Sequence, residues 1–451
     1  MRILSGRLDA AEVAEALDTE SAQPLISTLS RTSATGPAGS SPKATLNTLT
    51  SMGRSVSLRR DVRTLSGKPR TQELTAAADS LRGNPIVSDI LAIKELVTSN
   101  WINLLLVCVP LGMAAGYLGW DPVPVFLLNF LALVPLAMVL GDITEDLALR
   151  LGPVAGGLLN ASFGNVTEVV LSLAALRQGL LTVVAESLLG SILSNLLLVL
   201  GCCFLVGGVF NKLQTFNATG NRACSSMLFL SCIGIAIPTS AASIIKDADA
   251  RDDWVLAMSR GAALVLLACY VCYLVFTLGT HKELFAEEEG EEGEEAEVPV
   301  LTVTGALLTL TAISVLVAIH SEFLTGAIEA TSQQTGISTG FLAVIVLPIA
   351  GNACEHITAV LVAAKNKMDL ALGIAIGSSL QIALFAIPLC VLVGWAMGQD
   401  LSLNYDTFSV IALVLSVVHA NLVTADAQSH WLMGVQLCAV YILIALVFWY
   451  R

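Results

Sequence analysis

The chain has 451 residues, 55% of them apolar and only 13% charged, with a mean hydropathy of +0.77. So little polar surface cannot coat a water-soluble globule of this size, which excludes soluble enzymes and nucleic-acid binders and leaves a polytopic protein embedded in a lipid bilayer. The net charge of −13 is localised: nine glutamates fall in one run between Glu283 and Glu297, and the remainder is close to balanced.

Residues 1 to about 98 are rich in Ser, Thr, Ala and Gly and lack a long apolar period. Between 40 and 70 they hold seven basic residues (Lys43, Arg54, Arg59, Arg60, Arg63, Lys68, Arg70) against one acid, Asp61. This composition predicts a largely disordered tail, with short helical candidates near 8–17 and 86–98. The segment Ser55-Val56-Ser57-Leu58-Arg59-Arg60 suits contact with anionic lipid or the acidic run, and phosphorylation would reverse its charge; a solvated tail with no part in transport is the alternative. No secretory signal precedes the first apolar stretch of membrane length, which begins near Trp101 and is expected to target the chain itself.

Eleven apolar runs follow, near 101–119, 123–141, 153–176, 180–210, 223–243, 253–279, 299–319, 338–364, 369–397, 404–424 and 431–450. Each suffices to cross a hydrocarbon core of roughly 30 Å, and the fourth and ninth are long enough to tilt or bend. All ten cysteines lie inside these runs and read as small packing residues; Cys269 and Cys272 form a CxxC without a second pair. A cytosolic tail puts Lys94, Arg150, Lys212, Arg222, Lys282, Lys365 and Lys367 inside and Arg177, Lys246, Arg251 and Arg451 outside, an excess that favours this orientation.

Gly164-Asn165-Val166-Thr167-Glu168 in the third run recurs as Gly351-Asn352-Ala353-Cys354-Glu355 in the eighth, and Gly190-Ser191 recurs as Gly377-Ser378, at a constant offset of 187 residues. The five runs separating the two motifs are an odd number, so the second half enters the membrane in the opposite sense. The fold class expected is therefore an all-α polytopic membrane protein with eleven transmembrane helices: one extra N-terminal helix (99–122) and two inverted five-helix repeats, 123–282 and 299–451. The acidic segment 283–298 joins them in the cytosol. Inverted repeats of this kind build secondary transporters that bind substrate near the midplane.

An acid at membrane depth costs at least about 2.5–3.5 kcal/mol on insertion scales, so Glu168 and Glu355 are expected to face a cavity, a partner or an ion. Gly164 and Gly351 let the helix open and free backbone carbonyls, while Asn165 and Asn352 add amide oxygens on the same helical face as each glutamate. Two carboxylates among amide, hydroxyl and carbonyl oxygens suit Ca2+, also admit Mn2+, and disfavour soft metals. The same acids can hold protons or one divalent cation, and that exclusivity is the basis of antiport.

Secondary candidates lie nearby. Ser191 and Asn195, with Ser378 and Gln381 in the second half, either complete the coordination shell or bond between helices. Glu145, just past the second run, is either a gate for ion entry or a solvated interfacial acid. His356 is either a proton relay or a hydrogen-bonded core histidine. Glu186 and Glu322 fall near the ends of runs, where solvation is the simpler account. The acidic linker (Glu287, Glu288, Glu289, Glu291, Glu292, Glu294, Glu295) is either a low-affinity Ca2+ trap and dock for the basic tail or a solvated connection.

Taken together, Gly164-Asn-Val-Thr-Glu168, Gly190-Ser-Ile-Leu-Ser-Asn195, Gly351-Asn-Ala-Cys-Glu355-His356, Lys367-Met-Asp-Leu-Ala-Leu372 and Gly377-Ser-Ser-Leu-Gln381 resemble the CAX-type Ca2+/H+ antiporters of the cation/Ca2+ exchanger superfamily over about 100–451. The resemblance implies eleven transmembrane helices and transport of cytosolic Ca2+ into a vacuole or similar acidic store in exchange for protons. It implies no cofactor beyond the transported ions. It makes Glu168 and Glu355 the essential acids, with Asn165, Asn352, Glu145, Ser191, Ser378, Gln381 and His356 in or near the pathway. Restraint by the N-terminal tail, as in plant members, is a further implication, and a second copy of the chain and a tail-binding regulator are the partners in keeping with it. Val166-Thr167 and Ala353-Cys354 occupy the variable motif positions, and Glu186 places an acid where a neutral polar residue is usual. A Na+-coupled or Mn2+-carrying exchanger of the superfamily is the alternative. An intramembrane hydrolase would need His-Glu-x-x-His or paired catalytic aspartates within the runs, and neither is present.

Overall fold

The computed structural model describes residues 85–98, 100–245, 248–285 and 299–451. The tail before residue 85, with its candidate helix 8–17 and basic stretch, and the linker glutamates Glu287 to Glu295 lie outside the described residues, as does Lys246.

The second tail candidate is helical. Helix α1 (Pro85–Thr98) precedes a 3₁₀ segment (Trp101–Val107), capped by the Asn100 side chain, that runs into α2 (Cys108–Tyr117). Helix α3 (Pro122–Leu151) continues ten residues past the expected end at 141, so Glu145 lies within a helix and not beyond one. Hydropathy falls at Asp142, but acidic residues do not stop a helix; Gly152, at φ +79°, does. Helices α4 (Pro153–Phe163) and α5 (Val166–Arg177) follow, and then α6 (Leu181–Leu193), which passes through a π-helical turn (Ser194–Val199) into α7 (Leu200–Phe210). Helices α8 (Ala218–Ile244) and α9 (Ala248–Val275) complete the first half.

The second half opens with α10 (Val303–Gly326), which starts later than hydropathy suggests because polar contacts hold the preceding residues. Asp146 accepts hydrogen bonds from the backbone of Val300 and Leu301 at 2.7 and 3.0 Å, and Asp89 of α1 accepts from the Thr302 amide at 2.8 Å. After α11 (Ile328–Thr335), the chain forms α12 (Thr339–Phe341), a π-helical turn (Leu342–Val346), α13 (Leu347–Gly351) and α14 (Ala353–Ala364), with a 61° bend between α13 and α14. Next, α15 (Met368–Gln381) passes through a π-helical turn (Ile382–Ala386) into α16 (Ile387–Ala396), and α17 (Thr407–Val423) and α18 (Trp431–Tyr450) close the chain. Two short strands, β1 (Gln214–Thr215) and β2 (Gln428–Ser429), pair antiparallel and tie the end of α7 to the start of α18.

Among the described residues eight helices are long and apolar enough to cross a membrane, and up to ten if each of two bent pairs is one span; α17 is apolar but shorter. Burial sorts them. The α6–α7 span is 72% buried and α3 61%, whereas the spans at Arg251–Thr280 and Val303–Gly326 are only 22% buried. Helices that are apolar all round yet mostly uncovered need an apolar solvent, so the latter face lipid while α3, α6–α7 and α15–α16 enclose the centre.

Candidate cation site

Both Gly-Asn motifs break their helices. Asn165 stands at φ −111°, ψ 32° between α4 and α5, and Asn352 at φ −86°, ψ 8° between α13 and α14, so each glutamate lies in the first turn of the helix that follows. Broken helices at this depth are tolerated only where protein or a cavity receives the freed backbone groups. Glu168 and Glu355 are 4% and 5% exposed, and Asn165 and Asn352 are buried with them.

The two halves interlock here. A Cβ on Gly351 would stand 3.0 Å from Glu168 Oε1, so the glycine of one motif makes room for the acid of the other. The carboxylates of Glu168 and Glu355 are near enough to interact electrostatically. Asn165 Nδ2 donates to Gln381 Oε1 at 2.6 Å, and Asn352 Nδ2 donates to the Ser191 carbonyl at 3.4 Å. Each asparagine thus donates one amide hydrogen to the opposite half and leaves its oxygen over. Among the described residues Glu168 Oε1, Asn165 Oδ1 and Asn352 Oδ1 are buried without a hydrogen-bond partner. Buried acceptors normally find donors, so three left over together make this the candidate cation site. No group of three or more His, Cys, Asp or Glu clusters among the described residues, so amide and carbonyl oxygens must supplement the two carboxylates.

A cavity of about 10 Å3, room for one water-sized sphere, lies beside the pair and is lined by Gly164, Thr167, Gly351, Cys354 and Glu355 together with Leu140 and Gly141 of α3. Thr167 and Cys354, the variable motif positions, therefore face the site. Glu145 stands one turn beyond Gly141 on α3, half-buried. Asn195 is fully buried in the π-helical turn after α6, with neither side-chain polar atom hydrogen-bonded among the described residues. Ser378 and His356 are half-buried. One polar node went unforeseen: Asn129 of α3 meets His320 Nδ1 of α10 at 2.6 Å and donates to the Gly112 carbonyl of α2. A polar residue inside one apolar run and another just past the end of a second were its only signal.

The family model described as sodium/calcium exchanger protein matches residues 122–279 and 305–450. The vacuolar calcium ion transporter of Schizosaccharomyces pombe is 42% identical over 357 residues, covering 79% of this chain and 86% of that protein. A Ca2+/H+ antiporter of Synechocystis is 42% identical over 365 residues, covering 77% and 96%. Among solved structures, native YfkE superposes with a TM-score of 0.66 at 32% identity, covering 78% of this chain and all of that one. Paired broken helices, buried acids from both halves and a match spanning both halves together establish that this chain belongs to the sodium/calcium exchanger family.

Proposed function

We propose that this chain is a secondary active antiporter that moves cytosolic Ca2+ into an acidic, vacuole-like compartment in exchange for protons, by alternating access around Glu168 and Glu355. The observation that carries the reading is the set of three unsatisfied buried oxygens, Glu168 Oε1, Asn165 Oδ1 and Asn352 Oδ1, where the two broken helices meet. Relatives named as vacuolar and proton-coupled calcium transporters support the choice of ions and of membrane. In this reading the chain has a cytosolic N-terminus, a first helix and two inverted five-helix repeats, with Gln381 and Ser191 orienting the asparagines across the repeat interface. Two protons descending about 1.5 pH units release roughly 4 kcal/mol, enough for about a thousandfold Ca2+ gradient. Each carboxylate alternates between a proton and a share of the cation, so neither ion crosses without displacing the other.

The test is uptake of radiolabelled Ca2+ into Na+-free proteoliposomes with an acidic interior. Uptake should collapse with a protonophore and in Glu168→Gln and Glu355→Gln. Uptake indifferent to the gradient, or surviving both substitutions, would refute the mechanism.

A further inference from the structure

Glu186 has no part in the site just described. It lies on α6, five residues before Ser191, whose carbonyl holds Asn352. Successive contacts between α6 and the α12–α13 segment lead from one to the other. The Glu186 carboxylate oxygens are 3.7 and 3.9 Å from where a Cβ on Gly340 would stand. Four residues on along both helices, Gly190 abuts Val344, whose carbonyl carbon is 2.7 Å from a Cβ placed on that glycine. The next contact is the hydrogen bond from Asn352 to Ser191. The first step, four residues along both helices, advances about 6 Å; the second ends at Asn352, beside Gly351, which abuts Glu168, so a seam of contacts leads from Glu186 to the paired glutamates.

Beyond the outer end of the seam, Asp406 and Arg451, the charged groups that act on Glu186, line an open cavity of about 690 Å3. The charged groups facing Glu186 are Asp406, at the head of α17, and Arg451, after the end of α18; the α12 side presents Gly340, and α18 presents the Phe448 ring. Arg451 pairs with Asp406 at 2.7 Å, and among the described residues no base forms an ion pair with Glu186. A half-buried carboxylate with no ion pair of its own among the described residues, between charged groups that line an open cavity and a buried acid pair, is placed to exchange protons with both. The position 187 residues on, in the second half, is Gly373, so this acid exists on one side only. One-sidedness suits an exchanger facing an acidic compartment at one end.

We propose that Glu186 belongs to the proton route, as an acid at the mouth of the α6–α12 seam that supplies protons to Glu168 and Glu355; this rests on the antiport reading. The experiment measures Ca2+ uptake by the reconstituted full-length chain against interior pH, for wild type, Glu186→Gln and Glu186→Asp, with Glu168→Gln as the inactive control. Glu186→Gln should need about four- to fifteenfold more interior protons for half-maximal uptake, the influence of one charge at roughly 10 Å for an effective dielectric of about 20 to 40. That midpoint should move more than the limiting rate or the KM for external Ca2+, and Glu186→Asp should restore most of it. Superposable pH profiles, or a lower limiting rate at an unchanged midpoint, would overturn the inference. Wild-type uptake indifferent to the gradient would instead remove the antiport reading, and the inference with it.

Discussion

Gly190 and Gly377 occupy the same place in the two motifs, yet replacing each with alanine should have opposite consequences. A Cβ on Gly190 would overlap the Val344 carbonyl oxygen and stand 2.7 Å from both the carbonyl carbon and Cα of Val344. These are backbone atoms, so no side chain can swing aside. Ordinary contact begins near 3.4 Å, which means α6 and the Val344 turn must separate by about 0.7 Å or more. Overpacking of this kind costs about 1–3 kcal/mol. Because Ser191 is the next residue and holds Asn352 through its carbonyl, the displacement passes into the candidate cation site; misplacement by about 1 Å can slow a positioned reaction about a hundredfold. No atom lies within 4 Å of a Cβ on Gly377, and within a helix alanine is favoured over glycine by roughly 0.5–1 kcal/mol. Thermal unfolding of the purified protein in detergent, followed by proton-driven Ca2+ uptake, separates the two. Gly190→Ala should unfold at lower temperature and transport slowly, while Gly377→Ala should match or exceed wild type in stability. Equal destabilisation by both would refute this account of the interface.

Replacing Gln381 with Leu removes the acceptor that orients Asn165, a 2.6 Å bond; a loss of about 1 kcal/mol should raise the Ca2+ KM about fivefold, and an unchanged KM would show that the amide is not held by this contact. Asn129→Leu strands the fully buried His320, bonded to Asn129 at 2.6 Å, and should cost about 1–3 kcal/mol in detergent unfolding, with no change in unfolding temperature counting against it. Asp406 caps α17 through the Phe408 amide and the Ser409 amide and hydroxyl. Burial alone would raise its pKa, but Ser409 and Arg451 together hold it below the ordinary carboxylate value. Its contribution is therefore complete above the unfolded carboxylate range and lost as pH falls through the depressed folded value. Asp406→Ala should accordingly be about 1 kcal/mol less stable near neutral pH and converge on wild type in strong acid; a gap independent of pH would disprove the assignment.

The helices were legible because each membrane-length apolar run must satisfy its own backbone hydrogen bonds, and helices occupy the intervals that hydropathy marks. The two breaks were legible as Gly-Asn steps repeated at one offset. Helix ends were not: charge stops a hydropathy run at Asp142, whereas α3 stops at Gly152, where the backbone turns to positive φ. Partners across long stretches of sequence were equally hidden. Hydropathy places Asn129 inside one apolar run and His320 just past the end of another, but nothing in it says that they meet. Gln381 was a candidate for its amide, but that its partner is Asn165 of the other half emerges only when the chain is folded.

The two halves share a motif but not a set of contacts. Asn165 is held by a side-chain oxygen and Asn352 by a backbone carbonyl; Gly190 is clasped by a facing backbone while its counterpart Gly377 has open space. If the halves are inverted repeats, as proposed, sequence symmetry with contact asymmetry is what one conformer of a two-state pair should display, because a site open to one side cannot present the same surroundings to both halves. On the antiport reading, the opposite conformer exchanges these roles, closing the space at Gly377 and loosening the clasp at Gly190. On that reading the ions would supply the bias between them: a divalent cation would draw both carboxylates onto one centre, whereas protons would leave two neutral acids with no common ligand. On the same reading, a site assembled from two halves by its cargo would change the side it faces only when fully loaded with one ion or the other, and that condition would couple the two fluxes.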